Sequence, residues 1–200
     1  MATRFWLWRS LQAAAVAAAL TAAPAMAESY SIDAVHSSVG FSIRHLVSRT
    51  SGNFTDFSGT IVYDPAAPGK TAVEATIKVA SIDTRNTSRD QHLKGDDFLN
   101  AAVHPEITFK STDARLDGSV LQVTGNLTLH GVTRQITLPV EVLGIGTHPR
   151  NGAPVAGFAS QVTIKRSDYG VDSWTDAAGV LGDEVRVELT MEAIGSAPSE

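Results

Sequence analysis

The stretch "EVRVELTMEA", Glu184 to Ala193, alternates without a break. Val185, Val187, Leu189, Met191 and Ala193 share one parity; Glu184, Arg186, Glu188, Thr190 and Glu192 share the other. Side chains along a strand point to opposite faces in turn, so this run has one dry face and one wet face. Antiparallel sheets read this way, because they commonly leave one face to water.

The same period recurs outward from there. Val73, Ala75, Ile77 and Val79 alternate with Glu74, Thr76 and Lys78, and Leu121 to Leu129 and Ile136 to Val142 repeat the pattern. Weaker alternation covers 39–47, 57–63, 107–111 and 156–164, and Tyr30 and Ile32 mark a short first strand, so about eight or nine strands are expected. Turn signals divide them: "DPAAPGK", Asp117-Gly118, "HGV" at Gly131 and "HPRNGAP". So many antiparallel strands must close or stack, because open edges invite aggregation. A run of about 11 residues extends roughly 36 Å, which favours a tall barrel over a small sandwich. The expected fold is all-β, an extended eight-stranded antiparallel β-barrel with a short helical segment between strands. Its inward residues are medium or small, and Trp174 is the only tryptophan beyond residue 27. Such walls predict an elongated apolar cavity.

Residues 1–27 carry Arg4 and Arg9, then an Ala-rich apolar run, then Ala25-Met26-Ala27. This pattern predicts a secretory signal peptide cleaved after Ala27 and a periplasmic address. The barrel domain is then expected over 28–195, with a disordered tail at 196–200. Removing the two leader arginines takes the formal net charge from −5 to −7. An acidic chain without basic clusters is a poor match for nucleic acid. There are no cysteines, so the core must hold the fold without disulfides.

Chemical motifs are sparse. "PGKT" at Pro68–Thr71 lacks the glycine spacing of a phosphate-binding loop and reads as a hairpin turn. The six histidines form no i, i+4 helix pair and no i, i+2 strand pair, so no metal site is predicted and no cofactor is implied. His130 and His148 are expected in solvated turns. His45 shares the inward parity of Val39, Phe41 and Ile43, and stands either as a hydrogen-bonded core imidazole or as a polar anchor in an apolar pocket. The segment Arg166–Asp183 reads either as a solvated crossover or as a rim loop presenting Tyr169, Val171 and Trp174 at a pocket mouth.

"TSRDQHLKGDDFLN", Thr87 to Asn100, is dense in charge. Thr87 or Ser88 is expected to cap a helical turn, with Asp90 near its positive end and Gly95 closing it. His92, Leu93, Phe98 and Leu99 would form an apolar underside, and Arg89 would pair with Asp90 or Asp97. The segment is expected to be a lid or plug on one end of the barrel, with His92 touching a ligand's head.

The blocks "YSIDAVHSSVGFSIRHL", "GNFTDFSGTI", "IDTRNTSRDQHLKGDDFLN", "HPEITFKST", "GNLTLHGVTRQITLPV", "RSDYGVD" and "GDEVRVEL", in that order, resemble the YceI-like family. The resemblance spans nearly the whole chain after the leader. It implies a lipocalin-like, non-enzymatic, secreted or periplasmic barrel that holds a polyisoprenoid or another long-chain amphiphile such as a fatty amide, and a homodimer. Parity assigns Val39, Phe41, Ile43, Val73, Ile77, Ile107, Phe109, Leu127 and Phe158 to the ligand-binding wall, with His45, His92 and Trp174 as further contacts. Two alternatives compete with the carrier. One is a quinone-linked stress or redox accessory protein docking transiently on a membrane cytochrome. The other is an enzyme using Arg89, Asp90 and His92 as acid–base groups, which requires those three side chains to converge on the pocket.

Overall fold

The computed structural model describes residues 27–175 and 179–196. The leader expected over 1–27 and the tail expected over 196–200 therefore lie outside the described residues, except for Ala27 and Ser196 at their inner ends.

The alternating runs form strands β1 (Glu28–Ile32), β2 (Ser38–His45), β3 (Ser48–Phe54), β4 (Phe57–Tyr63), β5 (Ala72–Lys78), β6 (Ile82–Asp83), β7 (Glu106–Asp117), β8 (Val120–Leu129), β9 (Val132–Thr147), β10 (Pro154–Lys165) and β11 (Leu181–Gly195). Among the described residues one α-helix, α1 (Thr87–Lys94), interrupts them. Eleven strands collapse to eight staves once their pairing is followed. β1 and β2 both lie along the same edge of β11, with a corner at 33–37 between them. β4 pairs with β1 while β3 pairs with β2, and β5 and β6 pair with β4 and β3 in turn. Each of these three staves is one long strand broken by a bend. β7 to β11 then follow as a meander, and β1 on β11 closes the ring. Closure removes the open edges that eight antiparallel staves would otherwise expose.

The expected run over 39–47 proved to be a hairpin. β2 ends at His45, Leu46 takes φ 51, and the chain returns as β3. "HLVS" contains no Gly, Asn or Pro to announce that turn, and β3 ("SRTSGNF") has no apolar alternation, so neither was visible in the sequence. The "HGV" turn behaved as predicted. His130 and Gly131 both take positive φ (51 and 74), as a type I′ hairpin requires.

Two apolar clusters form the core. One, around Tyr30, Tyr63, Leu121, Val123, Ala156, Phe158 and Ala193, packs one end of the barrel. The other gathers Val79, Ile107, Leu129 and Tyr169 towards the opposite end. The wet face is stitched by cross-strand pairs: Lys110 Nζ to Glu74 Oε1 at 2.6 Å, Lys78 with Glu106, and Thr124 with Thr137 at 2.8 Å. Pairs this exposed add little in water, so the closed core dominates.

Candidate functional site

Between the clusters lies a cavity of about 750 Å³, in the range of small-molecule sites. All twelve residues that the sequence singled out line it. β2 contributes Val39, Phe41, Ile43 and His45; β5 contributes Val73 and Ile77; β7 contributes Ile107 and Phe109. Leu127 enters from β8 and Phe158 from β10, while His92 on α1 and Trp174 sit at one end.

The two ends differ. Phe158 forms the floor, its ring edge-on to Tyr63 at a centroid distance of 5.6 Å, and Tyr63 is itself buried. At the other end the lining includes the exposed Ser88, Arg89 and His92 of α1 and the half-exposed Trp174, so the cavity meets solvent there. Trp174 holds φ 65, a left-handed conformation costly for a bulky side chain. Its indole lies 5.6 Å from the His92 ring and 5.9 Å from Phe98, and His92 is edge-on to Phe98 at 4.9 Å. These three rings form an aromatic rim beside the mouth.

The helix is tethered differently from expectation. Asn86, not Thr87 or Ser88, caps it: its side-chain oxygen accepts from the Arg89 N–H at 3.0 Å. Arg89 pairs with neither Asp90 nor Asp97. Both Arg89 and Asp90 grip Thr84, which is 3% exposed. The Asp90 carboxylate accepts from the Thr84 N–H (2.8 Å) and hydroxyl (2.6 Å), while Arg89 donates Nε to Thr84 Oγ1 (2.7 Å) and Nη2 to Thr84 O (2.8 Å). A threonine that offers a donor, a hydroxyl and a carbonyl at once satisfies both charges, which is why they do not need each other. Thr84 hydrogen bonds, its hydroxyl's first, hold the Asp90 carboxyl below its ordinary value. Asp97 instead approaches His92, Oδ2 to Nε2 at 3.5 Å.

Two other sequence expectations need correction. His130 is part-buried, its Nδ1 3.3 Å from Tyr169 O and its ring 4.7 Å from that of His104. It is partly covered because the β8–β9 turn folds onto the loop after β10. Tyr169 is 2% exposed inside the second core cluster, not at the mouth. Only Val171 and Trp174 of the three apolar residues in that loop line the cavity. His45 has no side-chain hydrogen bond among the described residues, so it lines the cavity without a protein partner.

Sequence reasoning overlooked Arg166 and Ser160. Both continue the inward parity of Phe158, Val162 and Ile164, and that was the available signal; all five line the cavity. It also overlooked the corner between β1 and β2, where Asp33, His36 and Glu192 converge. His36 Nδ1 lies 2.7 Å from Asp33 Oδ2, and that hydrogen bond raises the His36 pKa above its ordinary value. The Ser37 hydroxyl and the Asp33 N–H bond the Glu192 backbone, so the cluster pins the bend onto β11.

A closed antiparallel barrel with a one-ended apolar cavity and a short helix at its mouth defines a class of small-ligand-binding barrels. Residues 30–193 match the YceI-like domain, and the chain belongs to that family. It is 40% identical over 177 residues to Protein YceI of Escherichia coli O6:H1, covering 87% of this chain and 91% of that one. The crystal structure of BcnA from Burkholderia cenocepacia superposes with a TM-score of 0.74 at 29% identity, covering 80% of this chain and 98% of BcnA. A polyisoprenoid binding domain from Saccharophagus degradans shares the fold, with a TM-score of 0.63 at 20% identity over 84% of this chain and 98% of that domain.

Proposed function

We propose that the protein is an exported carrier that holds a polyisoprenoid or a similar long-chain amphiphile in its barrel cavity. The observation that carries this reading is the cavity itself: elongated, walled by aliphatic and aromatic side chains, closed at the Phe158 end and open beside α1. Each methylene buried there contributes about 0.8 kcal/mol, less the cost of immobilising the chain. Chain length therefore sets affinity, and the few polar groups at the mouth set orientation. The polyisoprenoid-binding domain with the same barrel adds support, and the leader pattern supports a periplasmic address.

The arrangement at α1 favours binding over catalysis. Arg89 and Asp90 spend their hydrogen bonds on Thr84, and His92 is packed against Phe98 and Trp174. The three groups do not converge on one point in the cavity, as an acid–base site would need. Native mass spectrometry of the purified protein, followed by organic extraction, tests the proposal and counts subunits at the same time. One long-chain lipid per barrel is expected; empty extracts from several expression hosts would overturn it.

A further inference from the structure

Among the described residues, two buried side-chain atoms have no hydrogen-bond partner: Nη2 of Arg166 and Oγ of Ser160. Both residues line the cavity. They share one face of β10 and its continuation, six residues or about 20 Å apart along a strand. Native proteins rarely leave such atoms unpaired, and a missing ligand is one of the few physical reasons for it.

Arg166 is 5% exposed, so its charge is enclosed by protein. Nε donates to Gly182 O at 3.0 Å and Nη1 to Val171 O at 2.8 Å, which fixes the plane of the guanidinium from both ends of the loop after β10. Burial lowers its pKa, opposed by the more distant Asp183 and Asp172, yet an arginine stays protonated in proteins. No described carboxylate lies within salt-bridge distance of it; Asp183 spends its two oxygens on Ser167, at 3.0 Å to the N–H and 2.8 Å to the hydroxyl. Among the described residues, the cavity lining includes two arginines, Arg89 and Arg166, and no aspartate or glutamate. In a chain with formal net charge −5 this is a local reversal of sign. A neutral carbonyl would satisfy the free N–H but leave the buried charge uncompensated, whereas an anionic oxygen answers both.

We propose that Arg166 anchors the head group, and that the cargo class is a long-chain amphiphile ending in an anionic oxygen group, a carboxylate or a phosphate. This rests on the lipid-carrier reading and narrows it. The alkyl chain then runs from Arg166 past Val162 and Ser160 towards Phe158, which leaves the Ser160 hydroxyl to meet any polar atom farther down the chain.

The test is competition of palmitate, palmityl phosphate, palmityl alcohol and palmityl amine, all of one chain length, against a fluorescent fatty probe bound to the full protein. The acid or the phosphate should compete about 10- to 100-fold more strongly than the alcohol, the range of one charge-assisted hydrogen bond, with the amine weakest. Palmitate ahead of palmityl phosphate assigns a carboxylate head, and the reverse order a phosphate head. Arg166→Met should erase that ranking, bringing the acid and the phosphate down to the alcohol's level, and Arg166→Lys, which keeps the charge, should preserve the ranking. If the acid, the phosphate and the alcohol compete equally with the unaltered protein, the anchor is overturned while the carrier stands. If none of the four competes, the carrier reading itself fails. The ranking on unaltered protein decides even where the Met variant does not fold.

Discussion

Two glycines make room for phenylalanines on the strands beside them: Gly52 on β3 for Phe41 of β2, and Gly125 on β8 for Phe109 of β7. A Cβ on Gly125 would stand 2.5 Å from Phe109 Cζ and 2.6 Å from Lys110 O; one on Gly52 would stand 2.5 Å from Phe41 Cζ. The rings lie over the glycines and shape the wall there, so the missing side chains are part of the packing. Gly125→Ala is expected to destabilise the protein by about 1–3 kcal/mol, read by urea unfolding; an unchanged midpoint would show that the ring moves freely. Parity located Phe41 and Phe109 without help, because side chains on a strand alternate. The glycines' role was not legible, since a contact between neighbouring strands depends on register.

At the scale of elements, α1 is a short helix held by one buried threonine. With no buried residue of its own, it depends on Thr84, on its half-buried Leu93 and on Phe98 and Leu99 in the turn that follows it. Asp90→Ala leaves the buried Thr84 N–H unpaired, and hydrogen exchange over 86–94 should accelerate while β7 to β11 stay protected. The same loosening is expected in acid. The folded pKa of Asp90 is depressed below 3.8, so its contribution is present above that value and lost as pH falls through the folded one. Exchange that is equally slow in the variant would refute the tether. The charge density of "TSRDQHLKGDDFLN" announced a helix and a lid, but not the tether: Thr84 lies three residues upstream of the stretch, and the natural guess pairs opposite charges with each other.

For the whole molecule, cavity and core compete for the same interior. The floor end packs tightly around Tyr30, Tyr63 and Phe158, while the space beneath α1 stays open. Ala75 lines that space from the middle of β5. Ala75→Phe should fill it, shortening the longest chain that binds while leaving stability close to that of the parent, since the ring enters empty volume. Displacement titration across a series of chain lengths reads the effect; an unchanged length cut-off would mean that the chain runs elsewhere.

Local alternation by itself determined that this chain is a set of half-wet antiparallel strands, and closure followed because so many strands cannot leave their edges open. The order of the family blocks determined the kin, and parity determined which residues face inward. Only the tertiary structure decided that eleven strands make eight staves, because bends at 33–37 and around 55 and 80 break pairing without changing direction. It alone decided that Arg166 is buried with a donor left unpaired among the described residues, since burial and hydrogen-bond partners come from segments distant in the chain. Alternation is a property of neighbours in sequence; an unpaired charge inside a barrel is a property of neighbours in space.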